Sequence, residues 1–220
     1  MTDEDAPAGD DRAAAGDHHS DGSDESDDSP DDEVGSPSGR YRPPEADWPV
    51  LESVVEYDTP WYVGGYDLVE HPDGSTKRYY WAELPPAVVV VAVARDQVVF
   101  VEQYRPAVRQ RHLELPAGIV EAGESFTTAG ARELREETGY DPAGVSLLED
   151  YSVATGLLRH RRGYVYAEGL DPVGQKLEGS EFLTVRTVPV EDALAAAREE
   201  PTNDATVSGL LLAKEEGLLP

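Results

Sequence analysis

The sequence feature that most restricts the fold is the apolar run Ala87–Ala94, which reads Ala-Val-Val-Val-Val-Ala-Val-Ala. Alternate side chains of a β-strand point to opposite faces of a sheet, so a strand without polar positions is buried on both faces. Such a strand lies in the interior of a sheet that is covered on both sides. The run therefore predicts a central strand in a layered protein.

Segments with strand-like patterning surround this run, at residues 54–57, 61–69, 77–84, 98–104, 113–115, 145–151, 163–169 and 182–190. Turn signals at residues 71–74 and 95–97 predict that two pairs of these strands form hairpins. Helical patterning covers residues 125–138, 191–200 and 205–216. Strands around one central helix, with further helices closing the chain, predict a mixed sheet packed between helices.

Composition divides the chain into an acidic segment and a more apolar remainder. Residues 1–40 contain 14 Asp or Glu against two Arg, and large apolar side chains are almost absent up to residue 46. Such a segment cannot bury enough surface to offset the entropy of ordering, so residues 1–46 are expected to be a disordered acidic tail. Behind it we expect an N-terminal β region at residues 47–84 and the main domain at residues 85–220.

The net charge of −27 argues against nucleic acid as the main partner, because phosphate backbones are bound by basic surfaces. Lysine is scarce, with only Lys77, Lys176 and Lys214 beside 15 Arg. An acidic surface that repels itself is better tolerated where salt screens the charges. We therefore expect a protein adapted to concentrated salt.

The chain contains no cysteine, which excludes disulfides, thiolate catalysis and cysteine-ligated zinc. The first residues are acidic and no apolar signal-peptide core follows them. The run Ala87–Ala94 is far shorter than the ~20 residues that span a bilayer. The sequence therefore predicts a cytoplasmic protein that is not inserted in a membrane.

Three carboxylates on the predicted helix are the candidate chemical centre. Positions three and four apart share a helix face, so Glu133, Glu136 and Glu137 are expected to converge. Carboxylates that lie close together repel unless a cation neutralises them, and oxygen ligands favour a hard ion such as Mg²⁺ or Mn²⁺. A solvated Glu-rich helix face is the alternative, and the carboxylates alone leave both interpretations open.

Residues 118–140 resemble the Nudix box, the sequence motif of the Nudix hydrolases. The fixed positions of that motif are filled by Gly118, Glu124, Arg132, Glu133, Glu136, Glu137 and Gly139. The resemblance implies an α/β fold, namely an α/β/α sandwich with a mixed sheet. It also implies hydrolysis of a nucleoside diphosphate linked to another group, with Mg²⁺ or Mn²⁺ as cofactor.

The same resemblance implies roles for individual residues. Glu133, Glu136 and Glu137 would be catalytic metal ligands, with the carbonyl oxygen of Ala117 completing the set. Arg132 would hold the glutamates in place, and Glu124 would be mainly structural.

The flanks of the motif are similar to those of ADP-ribose pyrophosphatases. Residues 103–106 (Gln-Tyr-Arg-Pro) and 114–118 (Glu-Leu-Pro-Ala-Gly) carry this similarity. It makes Arg105 and Glu114 candidates for substrate binding, although the two could simply pair with each other. An N-terminal β region of this kind helps to build a dimer in that group. The resemblance thus implies a homodimer that converts ADP-ribose, or a similar nucleoside diphosphate sugar, to a nucleoside monophosphate and a sugar phosphate.

The region behind the motif departs from that pattern. Residues 153–156 lack the Pro-Gly that is usual there, and residues 157–162 form a basic segment where a catalytic Glu is often found. Arg159 is therefore a candidate to bind an anionic substrate, with an exposed turn as the alternative. Glu181, or else Glu178, is the candidate general base, unless the reaction needs none.

Two other functions remain open at the level of sequence. The substrate could be another nucleotide, such as NADH, a dinucleoside polyphosphate or an oxidised nucleotide. The chain could instead be a noncatalytic nucleotide sensor, although such modules often lack the box glutamates that are all present here.

Overall fold

The computed structural model describes residues 45–177, 179 and 182–220, so nearly all of the predicted acidic tail lies outside the described residues. The described part contains thirteen strands and three helices. The strands are β1 (Val50–Asp58), β2 (Val63–Glu70), β3 (Thr76–Glu83), β4 (Ala87–Ala94), β5 (Gln97–Arg105), β6 (Gln110–Glu114), β7 (Ala117–Ile119), β8 (Tyr140–Asp141), β9 (Gly144–Ser152), β10 (Leu158–Arg159), β11 (Arg161–Glu168), β12 (Asp171–Pro172) and β13 (Leu183–Pro189). The helices are α1 (Phe126–Thr138), α2 (Ala193–Ala197) and α3 (Asp204–Glu215).

The predicted central strand is confirmed. In the main sheet the strand order is β13-β5-β4-β11-β9, and β6 and β7 pair additionally with β5 and β4. Strand β4 is antiparallel to β5 and β7 but parallel to β11, so the sheet is mixed. The hairpin between β4 and β5 turns at Arg95 and Asp96, both with positive φ, as a tight two-residue turn that matches strand twist requires.

The two faces of this sheet carry separate cores, which confirms the α/β/α sandwich. Helix α1 covers one face, where its Phe126 and Leu134 pack with Val90 of β4. Helices α2 and α3 cover the other face, where Leu210 packs with Val91. Because neighbouring residues of β4 point to opposite cores, every position of its middle is buried.

Helix α1 begins and ends where the sequence predicts. The Ser125 side chain accepts a hydrogen bond from the Thr128 amide at the first turn, and Gly139 ends the helix with φ 74°. A Cβ on Gly130 would lie 2.7 Å from Cγ2 of Val165, so only glycine lets the helix approach the sheet this closely. The stripe formed by Phe126, Gly130 and Leu134 on α1 is therefore buried against the sheet.

A second, four-stranded sheet has the order β1-β2-β3-β10. Its first three strands form the N-terminal β region, and the predicted turn at residues 71–74 closes the β2–β3 hairpin through the His71 amide and the Ser75 carbonyl. Its fourth strand, β10, comes from the basic segment and pairs parallel with Ala82 and Glu83 of β3.

One predicted helix is shorter than expected. Residues 191–200 were predicted to be helical, but α2 covers only Ala193–Ala197. Asp192 makes no side-chain cap, and the Thr202 hydroxyl donates to the carbonyl of Ala197, where the helix ends. Pro201 disfavours helical geometry at Glu200, so the helix is not favoured to reach the predicted end at residue 200. None of the helices in the described residues is long and apolar enough to cross a membrane.

Candidate active site

The predicted catalytic helix faces strand β7 through two buried carboxylates. Glu137 is 3% exposed, and its Oε2 accepts a hydrogen bond of 3.0 Å from the Ala117 amide. Glu133 is 8% exposed, and its carboxyl group lies against Gly118, where a Cβ would come well within 3.0 Å of it. The structure therefore brings these two side chains to the same short backbone segment.

Arg132 connects Glu133 with two further acidic residues of the motif, Glu124 and Glu136. Its Nε and Nη2 donate to the two carboxylate oxygens of Glu124 at 3.0 and 2.9 Å. Its Nη1 donates to Glu133 at 2.8 Å and, at a longer 3.4 Å, to Glu136. One planar guanidinium thus contacts three carboxylates and fixes their spacing, in the two-pronged geometry that arginine allows.

The electrostatics of this cluster follow from the same contacts. The Arg132 hydrogen bonds hold the pKa of Glu124 below its ordinary value, and the Glu124 carboxylate raises the pKa of Arg132 in turn. Both groups are therefore charged throughout the neutral pH range. A pair that stays charged is suited to holding neighbouring groups in place rather than to exchanging protons.

Strand geometry turns the carbonyl oxygen of Ala117 away from β4. The Pro116 carbonyl accepts from the Val90 amide, and Gly118 is paired with Val88, so alternate residues of this segment face β4. Ala117 lies between them and turns both its amide and its carbonyl to the other edge. Its amide reaches Glu137 there, as described above.

These donors are all oxygen atoms, so they fit a hard divalent cation such as Mg²⁺ or Mn²⁺. The glutamates are currently turned to different partners, since Glu133 and Glu136 accept from Arg132 whereas Glu137 accepts from Ala117. Accordingly, no three His, Asp or Glu side chains within the described ranges form a ready metal-binding group.

The two predicted substrate-binding residues on β5 and β6 pair with each other. Glu114 is 6% exposed, and its Oε2 accepts from Arg105 Nη2 at 2.6 Å and from Gln103 Nε2 at 2.9 Å. The Arg105 side chain is 45% exposed, so its guanidinium bridges the buried carboxylate and the solvent. The ion pair that the sequence left as an alternative is therefore present, and one side of Arg105 stays accessible.

Arg159 lies in strand β10 of the second sheet. Its Nη2 donates to Asp67 at 2.6 Å, and its guanidinium stacks 3.9 Å above the ring of Trp81. Trp81 donates to the same Asp67 side chain at 3.0 Å. These contacts tie the basic segment to the N-terminal β region.

Some site residues fall outside the description, and others were missed from the sequence. Glu178 and Glu181, the candidate general bases, are not among the described residues. Gln175 was not predicted, although its Nε2 donates at 2.6 Å to the carbonyl of Glu137 near the end of α1. Thr206 was also missed, and its hydroxyl accepts from the Leu115 amide at 3.1 Å. No local pattern marks either residue, because both act across long sequence separations.

Comparison with known proteins identifies the family of this chain. Residues 83–208 match the NUDIX domain family. A methanol dehydrogenase activator of Bacillus methanolicus is 31% identical over 63% of this chain and 77% of its own length. An ADP-ribose pyrophosphatase of Bacillus subtilis is 31% identical over 62% of this chain and 76% of its own.

The fold also has a solved counterpart. A crystal structure of an ADP compounds hydrolase superposes with a TM-score of 0.70 at 22% identity, covering 80% of this chain and 98% of that one. Nudix hydrolases generally use divalent metal ions, in keeping with the oxygen donors described above. Together, the match over more than half of the chain and the shared architecture show that this protein belongs to the Nudix family and is a hydrolase related to the ADP-ribose pyrophosphatases.

Proposed function

We propose that this protein hydrolyses the pyrophosphate bond of ADP-ribose, or of a similar nucleoside diphosphate sugar, to a nucleoside monophosphate and a sugar phosphate. The observation that carries the proposal is the convergence of two buried carboxylates, Glu133 and Glu137, on the backbone of residues 117–118. Buried acidic side chains are costly unless a cation or a dense set of donors compensates them.

Mg²⁺ or Mn²⁺ is the proposed cofactor, held by Glu133, Glu136, Glu137 and the carbonyl oxygen of Ala117. When bound, such an ion supplies Lewis-acid stabilisation of the phosphate charge and a more acidic water molecule. The protein's own contribution is to hold the carboxylates in fixed positions relative to one another. Arg132 does this by spanning Glu124, Glu133 and Glu136 with one rigid group.

Substrate binding is proposed for Arg105, Glu114 and Arg159. Arg105 can donate to a phosphate or carbonyl group through its exposed face while Glu114 fixes its orientation. Arg159 is proposed to contribute positive charge from the second sheet, where Trp81 and Asp67 hold it. Glu181 is the proposed general base, on the grounds that Leu183, two residues later, pairs with Gln103 next to the Arg105–Glu114 pair.

The N-terminal β region is proposed to form a homodimer. Large apolar side chains are exposed in this part of the chain, and such a concentration marks an interaction surface. They are Trp48, Val50, Leu51, Val55, Tyr57, Trp61, Tyr62, Tyr79 and Tyr80. Sedimentation velocity at micromolar concentration should show a dimer, and a monomer at all concentrations would contradict this part of the proposal.

The remaining proposals concern the environment. The net charge of −27 and the scarcity of lysine support a cytoplasm rich in salt as the place of action. A nucleoside diphosphate compound, and neither nucleic acid nor membrane, is the expected partner of so acidic a chain.

A substrate panel tests the central proposal. Purified protein would be given ADP-ribose, other nucleoside diphosphate sugars, NADH, dinucleoside polyphosphates and oxidised nucleotides, each with Mg²⁺ or with EDTA, at low and high KCl. We expect ADP-ribose or a related sugar to give the highest kcat/KM, with AMP and ribose 5-phosphate as products from ADP-ribose and no turnover in EDTA. A higher kcat/KM for another compound in the panel would identify that compound as the preferred substrate instead.

The noncatalytic alternative gives a different result. A nucleotide sensor would bind a member of the panel, detected by calorimetry, without converting any of them under any salt or metal condition. That outcome would overturn the hydrolase proposal, whereas Glu137→Gln losing turnover but keeping binding would support it.

A further inference from the structure

A buried hydrogen bond joins the C-terminal helix α3 to the loop that precedes the Nudix motif. The amide of Leu115 donates to the hydroxyl of Thr206 at 3.1 Å, and both residues are 1% exposed. We propose that Thr206 is a positioning residue that fixes the backbone of residues 115–118 and so places the Ala117 carbonyl for metal binding. This inference rests on the proposed function of Ala117.

The loop needs this contact because of where its neighbouring strands end. Strand β6 ends at Glu114 and β7 begins at Ala117, so Leu115 lies in neither ladder. Pro116 has no amide hydrogen, which leaves the Leu115 amide as the donor between the two strands. A buried amide requires an acceptor, and Thr206 supplies it from 91 residues away.

Both ends of the loop are otherwise attached to the site. On one side, the Glu114 carboxylate holds Arg105 and Gln103. On the other side, the Ala117 amide donates to Glu137. A shift of Leu115 would therefore be transmitted to the substrate-binding pair and to the metal-binding segment.

The contacts of helix α3 hold the Thr206 hydroxyl in a fixed position against the loop. A Cβ on Gly209 would lie 2.8 Å from Cδ1 of Leu115, so the helix rests directly on this residue. The Asn203 side chain caps the helix by accepting from the Thr206 amide at 2.8 Å. Arg162 binds Asp204 at 3.0 Å and anchors the first turn to β11. These contacts make Thr206 a rigid acceptor.

The test compares Thr206→Val, which keeps the shape but removes the hydroxyl, with Thr206→Ser, which keeps the hydroxyl. The first readout is the dissociation constant for Mn²⁺, measured by electron paramagnetic resonance of the free ion without substrate. Changes in groups that support a metal ligand cost about 10- to 100-fold in metal affinity, so we expect Mn²⁺ binding to weaken about tenfold in Thr206→Val. Thr206→Ser should restore it to near the wild-type value.

The second readout is amide hydrogen exchange of Leu115 in metal-free protein. It should be markedly faster in Thr206→Val than in the wild type and in Thr206→Ser. Asn203→Ala is the matched control, because it weakens the cap of the same helix while leaving the Thr206 hydroxyl in place. It should lower the melting temperature but weaken Mn²⁺ binding far less than Thr206→Val does, because the hydroxyl that accepts from Leu115 is still present.

The outcomes separate this inference from the proposed function. Wild-type Mn²⁺ affinity in Thr206→Val, or equal weakening in Asn203→Ala and Thr206→Val at matched loss of stability, would overturn the positioning role. Failure of the wild-type protein to bind Mn²⁺ would instead overturn the metal site on which the inference rests. Selective weakening in Thr206→Val with rescue by serine supports both.

Discussion

Gly118 lies where the Glu133 carboxyl group meets strand β7, and an alanine there should separate activity from stability. An added Cβ would lie less than 3.0 Å from all three heavy atoms of that carboxyl group, whereas ordinary contact begins near 3.4 Å. The carboxyl group must therefore move by roughly 1 Å. A displacement of this size in a catalytic group costs about 100-fold in kcat/KM, or about 2.7 kcal/mol.

The fold should tolerate the same change. Gly118 does not have a positive φ, so its backbone conformation is open to alanine. The group in the way is the end of a flexible side chain, which can rotate aside. The free energy of unfolding should change by no more than about 1 kcal/mol, measured by urea denaturation.

Gly130→Ala, on the helix that carries Glu133, provides the control. Its Cβ would lie 2.7 Å from Val165 and 3.4 Å from Val88, both in the core. Overpacking, partly offset by the better helix propensity of alanine, should cost about 1–2 kcal/mol of stability. Its kcat/KM for ADP-ribose, measured where the protein is folded, should stay far closer to wild type. Full activity in Gly118→Ala, or lost stability without lost activity, would refute the reasoning.

Three further predictions concern charge. Glu137→Gln keeps an acceptor for the Ala117 amide but loses the negative charge. Its kcat should therefore fall at least about 100-fold while the thermal unfolding midpoint changes little. Retained turnover would contradict this prediction. Burial, and secondarily the charge of Arg162, lower the pKa of His160 below 6.5. The folded protein therefore keeps His160 neutral at a pH where the unfolded chain takes up a proton. The free energy of unfolding should fall as pH drops from about 6.5 toward the lowered pKa, by up to about 1.4 kcal/mol per pH unit. Urea unfolding measured across this pH range would contradict the prediction if His160→Gln showed the same slope as the wild type. Finally, the free energy of unfolding should rise from dilute buffer to molar KCl, and no rise would remove the argument for salt adaptation.

Local signals predicted the elements that position the glutamates. The helical pattern of residues 125–138 depends on neighbouring residues, so the helix could be placed from the sequence to within one residue. The run Ala87–Ala94 predicted the central strand for the same reason, since it has no polar residue on either face. The resemblance to the Nudix motif then predicted which carboxylates matter, and the comparisons confirm the family.

Long-range pairing could not be predicted in the same way. The short strand β10 exists because Leu158 and Arg159 pair with β3, and Arg159 binds Asp67 from 92 residues away. In the sequence, the basic segment therefore looked like a free cationic loop. The contact of Thr206 could not be predicted for the same reason, because only the folded chain brings its hydroxyl to the Leu115 amide. Periodicity and capping describe neighbours, whereas these contacts depend on topology.

The most direct measurement of the central claim is an anomalous difference map from crystals soaked in Mn²⁺. The account predicts a peak bound by oxygen atoms of Glu133 and Glu137 together with the Ala117 carbonyl, with the Glu136 carboxylate turned toward it. Manganese that binds elsewhere, or side chains that remain on Arg132 and the Ala117 amide with no ion between them, would contradict it.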